Sequence, residues 1–88
     1  MAASPANRRY RCATGEIEIA VTGAEQWHAL AVCLGRPELA YEGAWEAVRA
    51  ADAHGPIAAV VEEMLGEDDA ASWAQRLEAH GVPFVLVK

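Results

Sequence analysis

Cations are scarce in this sequence. Seven lysines and arginines stand against 13 aspartates and glutamates, a formal net charge of −6 over 88 residues. Affinity for nucleic acid comes mainly from cations that displace counterions at phosphates, so this balance argues against a nucleic-acid partner. It argues equally against an anionic membrane surface. Cysteine is scarce too. Cys12 and Cys33 stand alone, with no CxxC, which excludes a disulfide framework and fits two reduced thiols. The three histidines, His28, His54 and His80, are never three or four residues apart, so no helical zinc-ligand pair exists. No GxGxxG or GxxxxGK loop is present to cradle a phosphate. No apolar run is long enough to span a bilayer. The opening MAASPANRR carries no apolar stretch of the kind a signal peptide needs, and a cytoplasmic location is expected.

What is abundant is alanine, within an apolar share of 53%. Alanine-rich stretches favour helix. The length suits one domain with a modest core. Residues 1–7 read as a flexible tail and residues 8–88 as a single domain. Residues 8–13 alternate, with Arg8, Tyr10 and Cys12 on one side and Arg9, Arg11 and Ala13 on the other. Thr14-Gly15 supplies a turn. Residues 16–21 alternate again, with Ile17, Ile19 and Val21 inward and Glu16 and Glu18 outward. Period two around a glycine turn predicts a β-hairpin.

Helical spacing follows. Thr22 and Glu25 fit a capping box ahead of a stripe of Trp27, Leu30, Ala31 and Leu34, closed by Gly35. A second helix is expected from Gly43 to about Ala53, with Trp45 and Val48 on one face. A third carries Ile57, Val60, Val61, Met64 and Leu65 and ends at Gly66. A fourth is expected from Glu67 or Asp68, with Ala70, Trp73, Ala74 and Leu77 inward, and stops at Gly81. The closing VPFVLV reads as a strand. The order predicts an α+β domain: a small antiparallel sheet, made by the N-terminal hairpin and the C-terminal strand, packed by three to four helices.

Few side chains offer chemistry. Ser72 lacks the context of a nucleophile. Cys33 lies near a helix C-terminus, where the dipole raises a thiol pKa, and Cys12 has Arg11 as its sequence neighbour. The acidic run Glu62, Glu63, Glu67, Asp68 and Asp69 reads as a solvated helix end and cap. That leaves Arg8, Arg9 and Arg11 as the candidate ligand-binding residues. Two readings stand. Arg9 and Arg11 balance Glu16 and Glu18 across the hairpin and guard a strand edge. Alternatively, the arginines contact a phosphate or carboxylate.

The segments YRCATGEIEIAV, TGAEQWHALAVCLGRPELA and SWAQRLEAHGVP resemble the smaller domain of the family III CoA-transferases, which include formyl-CoA transferase, the carnitine CoA-transferase and α-methylacyl-CoA racemase. The matching positions are Tyr10, Arg11, Ala13 and Gly15, then Trp27, Leu34, Gly35, Pro37 and Leu39, then Leu77, Gly81, Val82 and Pro83. Thr14 stands where the family usually has aspartate. The resemblance implies CoA or acyl-CoA as a ligand, with no covalently bound cofactor. It transfers no catalytic residue, because the family's acyl-bearing aspartate and CoA-binding core match no position here. The expected function is therefore a non-catalytic accessory or interaction module. The alternatives are a subunit of an acyl-CoA transferase or racemase whose catalytic domain is another chain, and a small acyl-CoA or phosphate binder. The expected partner is a separate CoA-transferase-like large subunit or a second copy of the chain.

Overall fold

The computed structural model describes residues 4–87. Strand β1 (Asn7–Arg11) pairs antiparallel with β2 (Glu16–Ala20), which pairs antiparallel with β3 (Phe84–Val87). The sheet order is β1-β2-β3, so β2 is central and both outer strands are edges. The hairpin register sets Arg9 opposite Glu18, Tyr10 opposite Ile17 and Arg11 opposite Glu16. On the other side of β2, Leu86 faces Ile17 and Val85 faces Glu18. Directly opposed residues point the same way. One face therefore gathers Arg8, Tyr10, Ile17, Ile19, Phe84 and Leu86, and the other gathers Arg9, Arg11, Glu16, Glu18, Val85 and Val87.

Among the described residues four helices follow the hairpin: α1 (Ala24–Cys33), α2 (Ala44–Ala50), α3 (Pro56–Leu65) and α4 (Ala70–Ala79), with a short 3-10 turn at Pro37–Leu39. Three of them bury a clear stripe: Trp27, Leu30 and Ala31 in α1; Ala58, Val61 and Leu65 in α3; Ala70, Trp73 and Leu77 in α4. These stripes meet Tyr10, Ile17, Ile19 and Val21 in one continuous core. Among the described residues, the sheet's other face has no helix against it, and Arg9 and Arg11 are exposed there. The expected α+β class, with an N-terminal hairpin and a C-terminal strand in one antiparallel sheet, is what the chain adopts.

Several local expectations shift. The sequence predicts a tail through residue 7. Residues 1–3 lie outside the described residues, but Ser4, Pro5 and Ala6 are buried and Asn7 opens β1. The cause is bonding. Val21 donates its N–H to the Ala6 carbonyl at 2.9 Å, and the Tyr10 hydroxyl donates to the Pro5 carbonyl at 2.5 Å. The capping box at Thr22 also moves. Gly23 is the N-cap of α1, and Gln26 rather than Glu25 reaches back, accepting from the Thr22 N–H at 2.7 Å and its hydroxyl at 3.1 Å. Helix α2 ends at Ala50, short of Ala53, and Asp52 lies beyond it, accepting the His54 N–H at 2.8 Å. Helix α4 starts at Ala70, because the Asp69 carboxylate accepts the Ser72 N–H at 2.8 Å and so caps it.

Candidate functional site

The three N-terminal arginines do not act as one set. Alternation along β1 sends Arg8 toward the helices and Arg9 and Arg11 to the bare face. The Arg8 side chain is 16% exposed and is held from several sides. Its Nη1 donates to the Ala53 carbonyl at 3.1 Å and lies 3.6 Å from the Glu62 carboxylate. Its Cζ sits 4.2 Å from the centre of the Tyr10 ring, and its Nε donates to the Arg9 carbonyl at 3.0 Å. Burial pushes the Tyr10 phenol well above its usual range, against the opposing pull of Arg8. Tyr10 is thus a neutral donor to Pro5. Arg8 ties the hairpin to α3 and to the loop before it.

The register brings Glu18 and Glu16 opposite Arg9 and Arg11, as the alternation predicts. The side chains nevertheless do not close into ion pairs. Among the described residues the pairs are Arg8–Glu62, Arg36–Glu38, Arg49–Glu46 and Arg76–Asp68. The expected balancing of Arg9 and Arg11 by cross-strand contact is therefore absent at bonding distance. The three arginines still border one shallow groove of about 270 Å³, together with Glu16 and Glu62. Glu18, opposite Arg9 on the same sheet face, brings the nearby carboxylates to three against three cations.

The thiols are poor nucleophiles. Cys12 is buried, and its pKa is raised by desolvation first and then by Asp69 and Asp68. Adjacency to Arg11 gives no pairing, because alternation turns Cys12 to the opposite side. The hairpin turn instead leans on the start of α4, with the Ala13 N–H donating to the Asp68 carbonyl and the Ala70 N–H to the Thr14 carbonyl, both at 2.9 Å. Burial also raises Cys33, with Arg76 opposing. Much of the acidic run is engaged locally. Glu62 meets Arg8, Asp68 meets Arg76, and Asp69 caps α4, where bonding to Ser72 holds its carboxyl below the usual aspartate range. Among the described residues, no group of three or more His, Cys, Asp or Glu side chains is arranged to hold a metal ion. No helix there is long and apolar enough to cross a membrane.

Two surface features lie outside the three arginines singled out as candidate ligand-binding residues. A cleft of about 470 Å³ opens between α1 and the segment leading into α2, lined by Trp27, Tyr41 and Trp45 with Glu42, Glu46 and His28 among the polar groups. Trp27 forms part of it while its indole Nε1 donates to the Leu39 carbonyl at 2.7 Å. The available signal is the aromatic pair Tyr41 and Trp45 at helical spacing, close behind a tryptophan that the α1 stripe assigns to the core. The second feature is the outer edge of β3. Val85 and Leu86 are 54% and 38% exposed there, in a four-residue strand without a charge.

Comparison with known proteins places the fold. The match to the model of CoA-transferase family III runs over residues 1–88. The fold matches the crystal structure of Rv3272 from Mycobacterium tuberculosis, orthorhombic form, with a TM-score of 0.76 at 24% identity over 97% of this chain. It matches an aspartate-to-alanine mutant of the same protein with a TM-score of 0.76 at 25% identity over 98% of this chain. In both cases the match spans 24% of the solved chain. No curated protein matches in sequence. With its whole length matched by the family model, the chain belongs to CoA-transferase family III.

Proposed function

We propose that this chain works as a non-catalytic docking module in a CoA-transferase family III assembly, seated against a catalytic large domain that handles acyl-CoA thioesters. The observation that carries this reading is the β3 edge, unpaired among the described residues, beside a bare sheet face. Natural edge strands are usually blunted by charge, proline or a cover. Here Phe84–Val87 is wholly apolar, and Val85 and Leu86 meet solvent. A strand with free backbone donors and acceptors and exposed apolar side chains favours a protein neighbour. The pattern of Arg9, Arg11, Glu16 and Glu18 next to it gives that neighbour a charged register to read. The test is co-purification from the source cell with identification of the captured chain. A family III large domain is expected with the wild type and is expected to be lost with Val85→Lys. A wild-type chain that runs as a monomer and recovers no such partner overturns the docking role. If CoA transfer or racemisation appears once that partner is added, the module is a subunit of the enzyme.

A second reading is favoured by one observation: among the described residues, Arg9 and Arg11 are in no ion pair. Guanidiniums without a carboxylate partner are suited to a phosphate. The groove of about 270 Å³ has room for a phosphate group of an acyl-CoA. Titration with acetyl-CoA at low ionic strength is expected to shift the amides of residues 8–16, and Arg9→Glu with Arg11→Glu is expected to remove the shifts. If nothing moves at millimolar ligand, the arginines serve the strand edge alone.

A further inference from the structure

The cleft between α1 and α2 has a composition that the docking role does not use. Its volume of about 470 Å³ lies within the roughly 300–1,000 Å³ of small-molecule sites. Its aromatic lining comes from Trp27, Tyr41 and Trp45, three of the chain's six aromatic residues if the three Trp, two Tyr and one Phe are added. Trp27 is buried and fixed by its bond to the Leu39 carbonyl, so it forms the rigid floor of the cleft and not an open face. Tyr41 is 58% exposed and Trp45 is half-buried, which leaves ring surface in contact with solvent. An exposed tyrosine beside a half-buried tryptophan on a small domain is costly apolar surface unless something covers it.

The charges around the cleft have one sign. Glu42 and Glu46 line it, and no lysine or arginine does so among the described residues. Arg49 engages Glu46 at 3.4 Å, whereas Glu42 is in no ion pair among the described residues. The first turn of α2 opposes this with a weak positive potential, which the full charge of the unpaired Glu42 carboxylate outweighs. Aromatic faces with adjoining carboxylates attract a cation that is poorly hydrated and carries its own apolar surface. An inorganic ion does not fit that description, because it needs several oxygen ligands at fixed distance. An anion such as a phosphate would meet repulsion from Glu42 and Glu46.

We infer that the cleft lined by Trp27, Tyr41, Trp45, Glu42 and Glu46 binds a small organic cation of the alkylammonium class. The site lies apart from the arginine groove and from β3, so it stands or falls independently of the docking role. It involves no covalent step. The Tyr41 and Trp45 rings supply contact with the alkyl groups, and Glu42 supplies the charge that selects a cation over a neutral molecule of equal shape.

The experiment compares choline with its uncharged isostere 3,3-dimethylbutan-1-ol, titrated into the full chain. Tryptophan emission and the amides of residues 24–28 and 40–46 report occupancy. Choline is expected to bind about tenfold more tightly than the isostere, the ratio that corresponds to a cation–π and charge contribution of ~1.4 kcal/mol. Glu42→Gln, at an exposed position where the fold is not at stake, is expected to weaken choline about threefold and leave the isostere unchanged. Tyr41→Ala is expected to weaken both. Equal binding of the two probes would show an apolar cleft without cation selectivity and overturns the inference. So does the absence of any shift at tens of millimolar choline.

Discussion

Arg8 shares charge and strand with Arg9 and Arg11, yet only Arg8 is built into the fold. Removing its side chain leaves the Ala53 carbonyl without its donor, strips the guanidinium from the Tyr10 ring and frees Glu62. A hydrogen bond from a charged donor at a half-buried site contributes about 1–3 kcal/mol. Arg8→Ala is therefore expected to lower stability by about that amount, whereas Arg9→Ala, at an exposed position, is expected to change it by no more than about 0.5 kcal/mol. Urea unfolding of the two variants measures the difference, and equal midpoints would refute the distinction. The sequence shows the alternation that separates Arg8 from its neighbours, because period two follows from strand geometry alone. It does not show that Ala53, 45 positions away, supplies the acceptor. It places Cys12 on the Tyr10 side, away from Arg11, where the structure buries it, but it does not show that Asp68 and Asp69 lie near.

At the scale of elements, the joint between the hairpin and α4 bears the most constraint. Gly15 holds φ at +85°, a left-handed conformation that lets the Cys12 N–H donate to the Gly15 carbonyl at 3.0 Å and closes the turn. A Cβ there would also stand 3.2 Å from the Ala70 Cβ, at the first turn of α4. Gly15→Ala should cost about 1–2 kcal/mol through the backbone alone. Gly15→Asn separates the two effects. Asparagine tolerates the left-handed region, so it should cost less than alanine if φ dominates, and as much or more if contact with Ala70 does. Thermal unfolding of both variants decides between them, and a Gly15→Ala protein with unchanged stability would contradict the turn as described. The turn, the helical stripes and the final strand are legible in the sequence because each rests on a local pattern. Helix ends are not. Glu25 and Gln26 both suit a reach back to Thr22, and with Gly23 as the N-cap it is Gln26 that bonds. Three acids, Glu67, Asp68 and Asp69, cluster before α4, and the one that accepts the Ser72 N–H, Asp69, is the cap.

Across the whole molecule, buried side chains are distributed unevenly. The central strand β2 is bonded on both edges and buries Ile17 and Ile19 completely. Between Gly35 and Pro56, by contrast, only Ala44 and Val48 are buried, and α2 is seven residues long. Short helices with a narrow buried stripe draw little stability from tertiary packing. The same stretch carries Tyr41, Glu42, Trp45 and Glu46 of the aromatic cleft. The cleft therefore sits on the most easily opened part of the fold, while the arginine groove and the β3 edge sit on the sheet, where the core is densest. This also explains why the cleft is illegible in the sequence. It lies between two elements whose separation depends on an irregular connection, and no periodic pattern encodes that distance. Native-state hydrogen exchange is expected to show the amides of α2 opening at a lower free energy than those of Ile17 and Ile19, which should exchange only on global unfolding. An occupied cleft should slow the α2 amides selectively, because a ligand that binds only the closed form stabilises it against local opening. If α2 exchanges as slowly as β2 in the free protein, the fold opens as one unit and this division of the molecule is wrong.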